Sequence, residues 1–133
     1  MSGYGVASFS VSTTLTSQRA VAAVSGTANT VQYPEAATNL PFGITIDDVS
    51  DTTSSIPVQI NGTAKLFFND TCTSGQRVAV DSSGRGTPFT SPNTTTSATL
   101  TASYIGVLVG PTVAATGTIA EVLIMPGEER ASA

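Results

Sequence analysis

Apolar and polar residues alternate with a period of two along most of the chain, and no segment of helical length repeats apolar residues at three and four. In residues 7–15, Phe9, Val11, Thr13 and Leu15 share one face and Ser8, Ser10, Ser12 and Thr14 the other, which predicts a half-buried strand. RAVAAV, residues 19–24, fits a short strand or a single helical turn, and Gly26 ends either. In IPVQINGTAKLFF, Ile56, Val58 and Ile60 alternate with Pro57 and Gln59, and Ala64, Leu66 and Phe68 with Lys65 and Phe67. Asn61-Gly62 between these runs is the favoured two-residue type I′ turn, so the segment predicts a β-hairpin. Pro57 has no N–H to give a ladder, so its strand is expected at a sheet edge or with that bond facing out. Further strands are predicted in QRVAVD, in residues 85–89 after the Ser82-Ser83-Gly84 turn, and in residues 100–104 running into YIGVLVG. The last, GTIAEVLIM, is expected to stop at Pro126-Gly127.

The stretch GTANTVQYPEAATNLPFGIT, residues 26–45, breaks this rhythm. Pro34 and Pro41 fix φ and disfavour helix in the residues before them, so the stretch reads as an ordered crossing between strands. Tyr33, Leu40 and Phe42 are then candidates for packing at a subunit seam or under the core. About eight short strands with turn signals between them predict an all-β fold, a compact single-domain β-sandwich or β-barrel. The expected organisation is an N-terminal arm or strand over residues 1–18, a β-domain over 19–127, and a charged, flexible tail over 128–133.

Composition narrows the function. A chain of 133 residues suffices for one core. Charged residues make up only 11%, against about 25% in ordinary domains, and 22 Thr and 16 Ser cover the exterior with hydroxyls instead. A net charge of −4 with one Lys and four Arg leaves no cationic cluster for a phosphate backbone, so no nucleic-acid partner is expected. No apolar run approaches the ~20 residues that span a bilayer, and no membrane partner is expected. The start, MSGYGVASFS, lacks the basic and apolar regions of a secretory signal, which implies synthesis in the cytoplasm. Cys72 is the sole cysteine, so the chain has no internal disulfide.

Chemistry is scarce. With no His, Ser-His and Cys-His nucleophile pairs cannot form within the chain, and the sequence predicts no enzyme and no cofactor. Cys72, in NDTCTSG, has no basic neighbour to activate it and reads as an inert thiol. Asp47, Asp48 and Asp51 in DDVSD are the one candidate for a hard cation. They lack the alternating ligands, central Gly and terminal Glu of a calcium loop, so a solvated turn is the expected reading. The aromatic residues, without a Trp among them, read as core rather than as a sugar-stacking platform.

The order of these features, with the 26–45 stretch followed by IPVQINGTAKLFF, SGQRVAVDSSGR and YIGVLVGPTVAATGTIAEVLIMPG, resembles the small capsid decoration or cement proteins of tailed bacteriophages. The matching residues are Pro41, Phe42, Gly43 and Ile44; Gly75, Val78, Asp81 and Gly84; Ile105 and Gly106; and Gly117, Val122, Ile124 and Pro126. They span about residues 20–127, and the Thr-rich insert at 90–97 departs from the pattern. The resemblance implies a virion protein on the outer capsid surface, made in the host cytoplasm. Its partner would be the major capsid protein, and it would form a homo-oligomer, a trimer by preference, that stiffens the shell against internal DNA pressure. A hydroxyl-rich domain without catalytic groups suits such a static task, repeated over a lattice.

On this view residues 1–18 add as a strand or arm to a neighbouring subunit or to the shell. Phe9, Val11, Leu15, Tyr33, Leu40 and Phe42 are the interface candidates. Two other readings stay open. One is a carbohydrate-binding or adhesin-like module using Tyr33, Tyr104 or the Asp47 to Asp51 loop; the other is a shell or tail-tube structural subunit.

Overall fold

The computed structural model describes residues 5–34, 40–48, 55–90 and 101–130. Among these the chain is all-β, with ten strands and no helix. Strands β1 (Val6–Val11), β2 (Ala20–Ala23), β3 (Thr30–Gln32), β4 (Pro41–Thr45) and β5 (Ser55–Gln59) close into a barrel in the order β1-β3-β2-β4-β5. Strands β6 (Thr63–Phe67), β7 (Arg77–Val80), β8 (Gly86–Pro88), β9 (Thr101–Leu108) and β10 (Ile119–Arg130) form a second sheet in the order β6-β10-β9-β7-β8. A parallel bridge between Phe68 and Gly86 ties the two edges of that sheet together. Closing a sheet on itself removes exposed edges, which matters in a chain with so few charges to guard them.

Two apolar clusters follow from this arrangement. Val11, Leu15, Val21, Val31, Ile56 and Val58 fill the barrel. Leu66, Phe68, Val78, Ile105, Leu108 and Val122 lie under the second sheet, and Ala20 and Ile44 of the barrel wall complete that cluster. Strands β2 and β4 are therefore walls shared by both cores. The run AVAAV, residues 20–24, is continuously apolar because β2 is a strand between two cores, the case in which period-two alternation disappears.

The hairpin expected at residues 56–68 does not form. β5 pairs with β1 and β4 in the barrel, whereas β6 pairs with β10 in the second sheet. Asn61-Gly62 is a corner between the sheets. Of its two residues Gly62 alone takes a positive φ, 77°, so the I′ geometry that needs two such residues is absent. The Gln59 amide donates to the carbonyls of Asn61 (3.0 Å) and Thr63 (2.6 Å), and Asn61 Oδ1 accepts the N–H of Gly5. These bonds hold the corner open where a hairpin would fold back.

Pro57 sits between two neighbours rather than at an edge. Its carbonyl accepts from Ile46 N at 3.3 Å, so its missing N–H faces the point just beyond the end of β4, where the ladder needs no donor.

From Gly5 to Gln18 the chain is built into the barrel. β1 hydrogen-bonds to β5 along five register pairs and to β3 in parallel, and Val11 and Leu15 are buried in the barrel. The chain then passes through Gln18, whose N–H donates to Thr45 O and whose carbonyl accepts from Phe67 N, both at 2.8 Å. This residue joins the barrel to the second sheet, at a φ of 61° that a side chain adopts reluctantly.

The last strand also passes the point expected to stop it. The β10–β9 register shifts between Ile124 and Gly127, so that Met125 and Pro126 together face Ile105. A bulge accepts a residue without an N–H, and pairing resumes through Arg130 opposite Thr101. Residues 128–130, expected in a flexible tail, are part of the ladder, and Glu129 forms an ion pair with Arg77 at 3.0 Å.

Candidate interaction surface

The six interface candidates converge on the barrel but divide by burial. Val11 and Leu15 are core residues of their own chain, 5% and 3% exposed, and offer nothing to a partner while the barrel is closed. Phe9 and Phe42 meet edge to face, 5.4 Å between ring centroids, and with Tyr33 pack against the barrel core. The Tyr33 hydroxyl accepts the N–H of Thr16 at 2.7 Å, which fixes the chain between β1 and β2. Leu40, 43% exposed, is the one candidate that presents a large apolar surface.

The acidic loop gives no cation cage among the described residues, where no three His, Cys, Asp or Glu side chains converge. Asp48 instead accepts the Ser17 N–H at 2.7 Å, a role in holding the β1–β2 connection. Asp51 lies outside the described residues. Tyr104 is likewise engaged: Arg77 stands over its ring at 4.9 Å, and Phe89 meets it edge to face at 5.2 Å. Glu129 holds the same guanidinium, so this group is an internally satisfied surface cluster rather than an open platform for a sugar ring.

Cys72 is buried, and its thiol pKa is raised, first by desolvation and then by the Asp70 charge. A raised thiol pKa means the fold favours the neutral form. That contribution to stability is present below the ordinary thiol value and is lost as pH rises through the raised one. Cys72 is expected to resist an aromatic disulfide reagent at neutral pH in the folded protein and to react at once in denaturant. Equal labelling rates in the two states would refute the buried, neutral thiol.

A groove of about 320 Å³ runs between the barrel and the second sheet, with Gln18, Thr45, Gln59 and Thr63 along it. Its polar groups turn inward: Thr45 Oγ1 donates to Thr16 O at 2.7 Å, and the Gln59 amide is committed to the corner at Asn61. Lys65 and Glu121 form its charged rim, directly opposite each other across β6 and β10. The outward residues of β10 are not among the interface candidates that the sequence offers, although GTIAEVLIM signals them by being apolar at both parities.

What the fold defines is a two-sheet all-β module, a closed barrel sharing a wall with a second sheet. No family model and no curated protein sequence matches the chain. Among solved structures it is similar to the N base of head fiber gp8.5 in bacteriophage phi29, with a TM-score of 0.66 over 92% of this chain and 94% of that one. At 14% identity the likeness is one of fold.

Proposed function

We propose that this chain is a structural virion protein of a tailed bacteriophage. On this reading it attaches to the outer surface of the capsid shell through the major capsid protein and reinforces the shell against internal DNA pressure. The observation that carries the reading is the shared fold with the head fiber base, which extends over nearly the whole of both chains. The sequence pattern supports it independently, since the turns and strands that resemble capsid decoration proteins fall in both sheets. The glycan-binding alternative draws no support from Tyr104, whose ring is already covered by Arg77.

A module of this kind gains its hold from repetition, because many copies on a lattice turn modest individual contacts into lasting occupancy. The test is to mix the purified protein with undecorated cognate capsids and count bound copies by cryo-microscopy. Saturation at a copy number set by the lattice symmetry is the expected result. Bare shells at saturating protein would overturn the proposal.

A further inference from the structure

Strand β10 is apolar on both of its sides. Ala120, Val122 and Ile124 face the core under the second sheet, and Ile119, Leu123 and Met125 alternate with them on the outer side. That pattern belongs to strands covered on both faces. Strand β2 shows the rule within this chain, lying buried between the barrel interior and the second core. β10 has its cover on the inner side, while Ile119 and Met125 are 44% and 53% exposed. The outer apolar surface also spreads sideways, because Ile119 pairs with Phe67 of β6 and Leu123 with Val107 of β9. Residues directly opposite on neighbouring strands point to the same side of a sheet.

In the middle of this surface Glu121 pairs across the ladder with Lys65. Both are exposed, and neither belongs to an ion pair among the described residues. Covering these charges is costly unless they are well paired, so the surface favours an occupant that brings an acid and a base at matching positions. A second copy of this chain meets that requirement by construction. Copies arranged about a symmetry axis beside this face set Lys65 of each against Glu121 of the next, and the surrounding apolar rows close over one another.

We infer that the outer face of the second sheet, built on β10 and centred on Lys65 and Glu121, is a self-association surface occupied by another copy of this chain. The contact joins chains to each other and needs no shell, so it is tested without capsids and stands or falls apart from the proposed attachment.

The experiment measures molar mass by light scattering behind size exclusion for the wild type, Lys65→Glu, Glu121→Lys, Leu123→Lys and the double variant Lys65→Glu/Glu121→Lys. The wild type is expected at two or three times the single-chain mass. Each single charge reversal is expected to weaken association at least ~100-fold, since every contact then sets like charges together. The double variant, with the charges exchanged, is expected to regain the wild-type mass. Leu123→Lys reports on the apolar row independently, and far-ultraviolet circular dichroism separates a lost contact from a lost fold. A wild type that stays at the single-chain mass at all concentrations would overturn the inference. So would single reversals, natively folded, that keep the wild-type mass, or a folded double variant that remains a single chain.

Discussion

Gly106→Ala is expected to cost about 3 kcal/mol or more of folding stability, the upper end of what overpacking a core causes. A Cβ on Gly106 would collide with the backbone carbonyl of Leu123, and it would also lie 3.0 Å from Met125 N. Backbone in the middle of a ladder cannot turn aside as a side chain can. The position matters because Gly106 pairs with Ile124 on one side and Val78 on the other, at the start of the β10 bulge. Gly75→Ala is the control. Gly75 has a φ of 89° and nothing within 4 Å of an added Cβ, so it carries only the backbone cost of a left-handed conformation, about 1–2 kcal/mol. Denaturant unfolding of the two variants checks the order. A smaller loss at Gly106 than at Gly75 would show that the ladder relaxes around the new methyl group.

Deleting residues 1–11 is expected to remove cooperative folding altogether. β1 is a stave of the barrel, and without it β3 and β5 each lose a hydrogen-bonded neighbour while Val11 leaves the core. Domains of this size are stable by only about 5–15 kcal/mol, and an entire strand with its share of a small core is of that order. The truncated chain also exposes two new edges with little charge to protect them, so aggregation is expected alongside the lost transition. A separable arm makes the opposite forecast, namely a truncated protein with an unchanged thermal transition. Circular dichroism melts with native gel filtration decide between the two.

Which parts of the fold were legible follows from what each segment contacts. β1, β7 and β9 were readable from alternation, since each has one side on a core and the other more exposed. β2 resisted because Ala20 and Val21 serve different cores, and a strand covered on both faces has no alternation to display. The hairpin at Asn61-Gly62 does not form for a different reason. Turn chemistry records that the chain reverses, but whether the flanking strands pair with each other depends on the distant β1 and β10 that compete for them. The bulge at Pro126 is similar: proline forbids a donor at one position, and a ladder that skips that position can continue.

The interaction surface shows the same division. Phe9 stands out in the sequence as part of an N-terminal strand or arm and Tyr33 and Phe42 as part of the 26–45 crossing, and the three do gather, on the barrel. The sequence could not tell that Val11 and Leu15 would lie inside it. Lys65 and Glu121, far apart along the chain, become neighbours only through the β6–β10 register.

By itself the sequence determined the all-β class, the apolar faces of most strands, the absence of any histidine and the sparsely charged, hydroxyl-rich composition. Those are properties of period, composition and local backbone preference, and each is written within a few residues. Only the tertiary structure decided that the strands divide into a barrel and a second sheet with a common wall, that the first strand closes that barrel, and which apolar side of β10 stays open. Those outcomes depend on competition between strands distant in sequence for the same hydrogen-bonding edges, and no local pattern records who wins it.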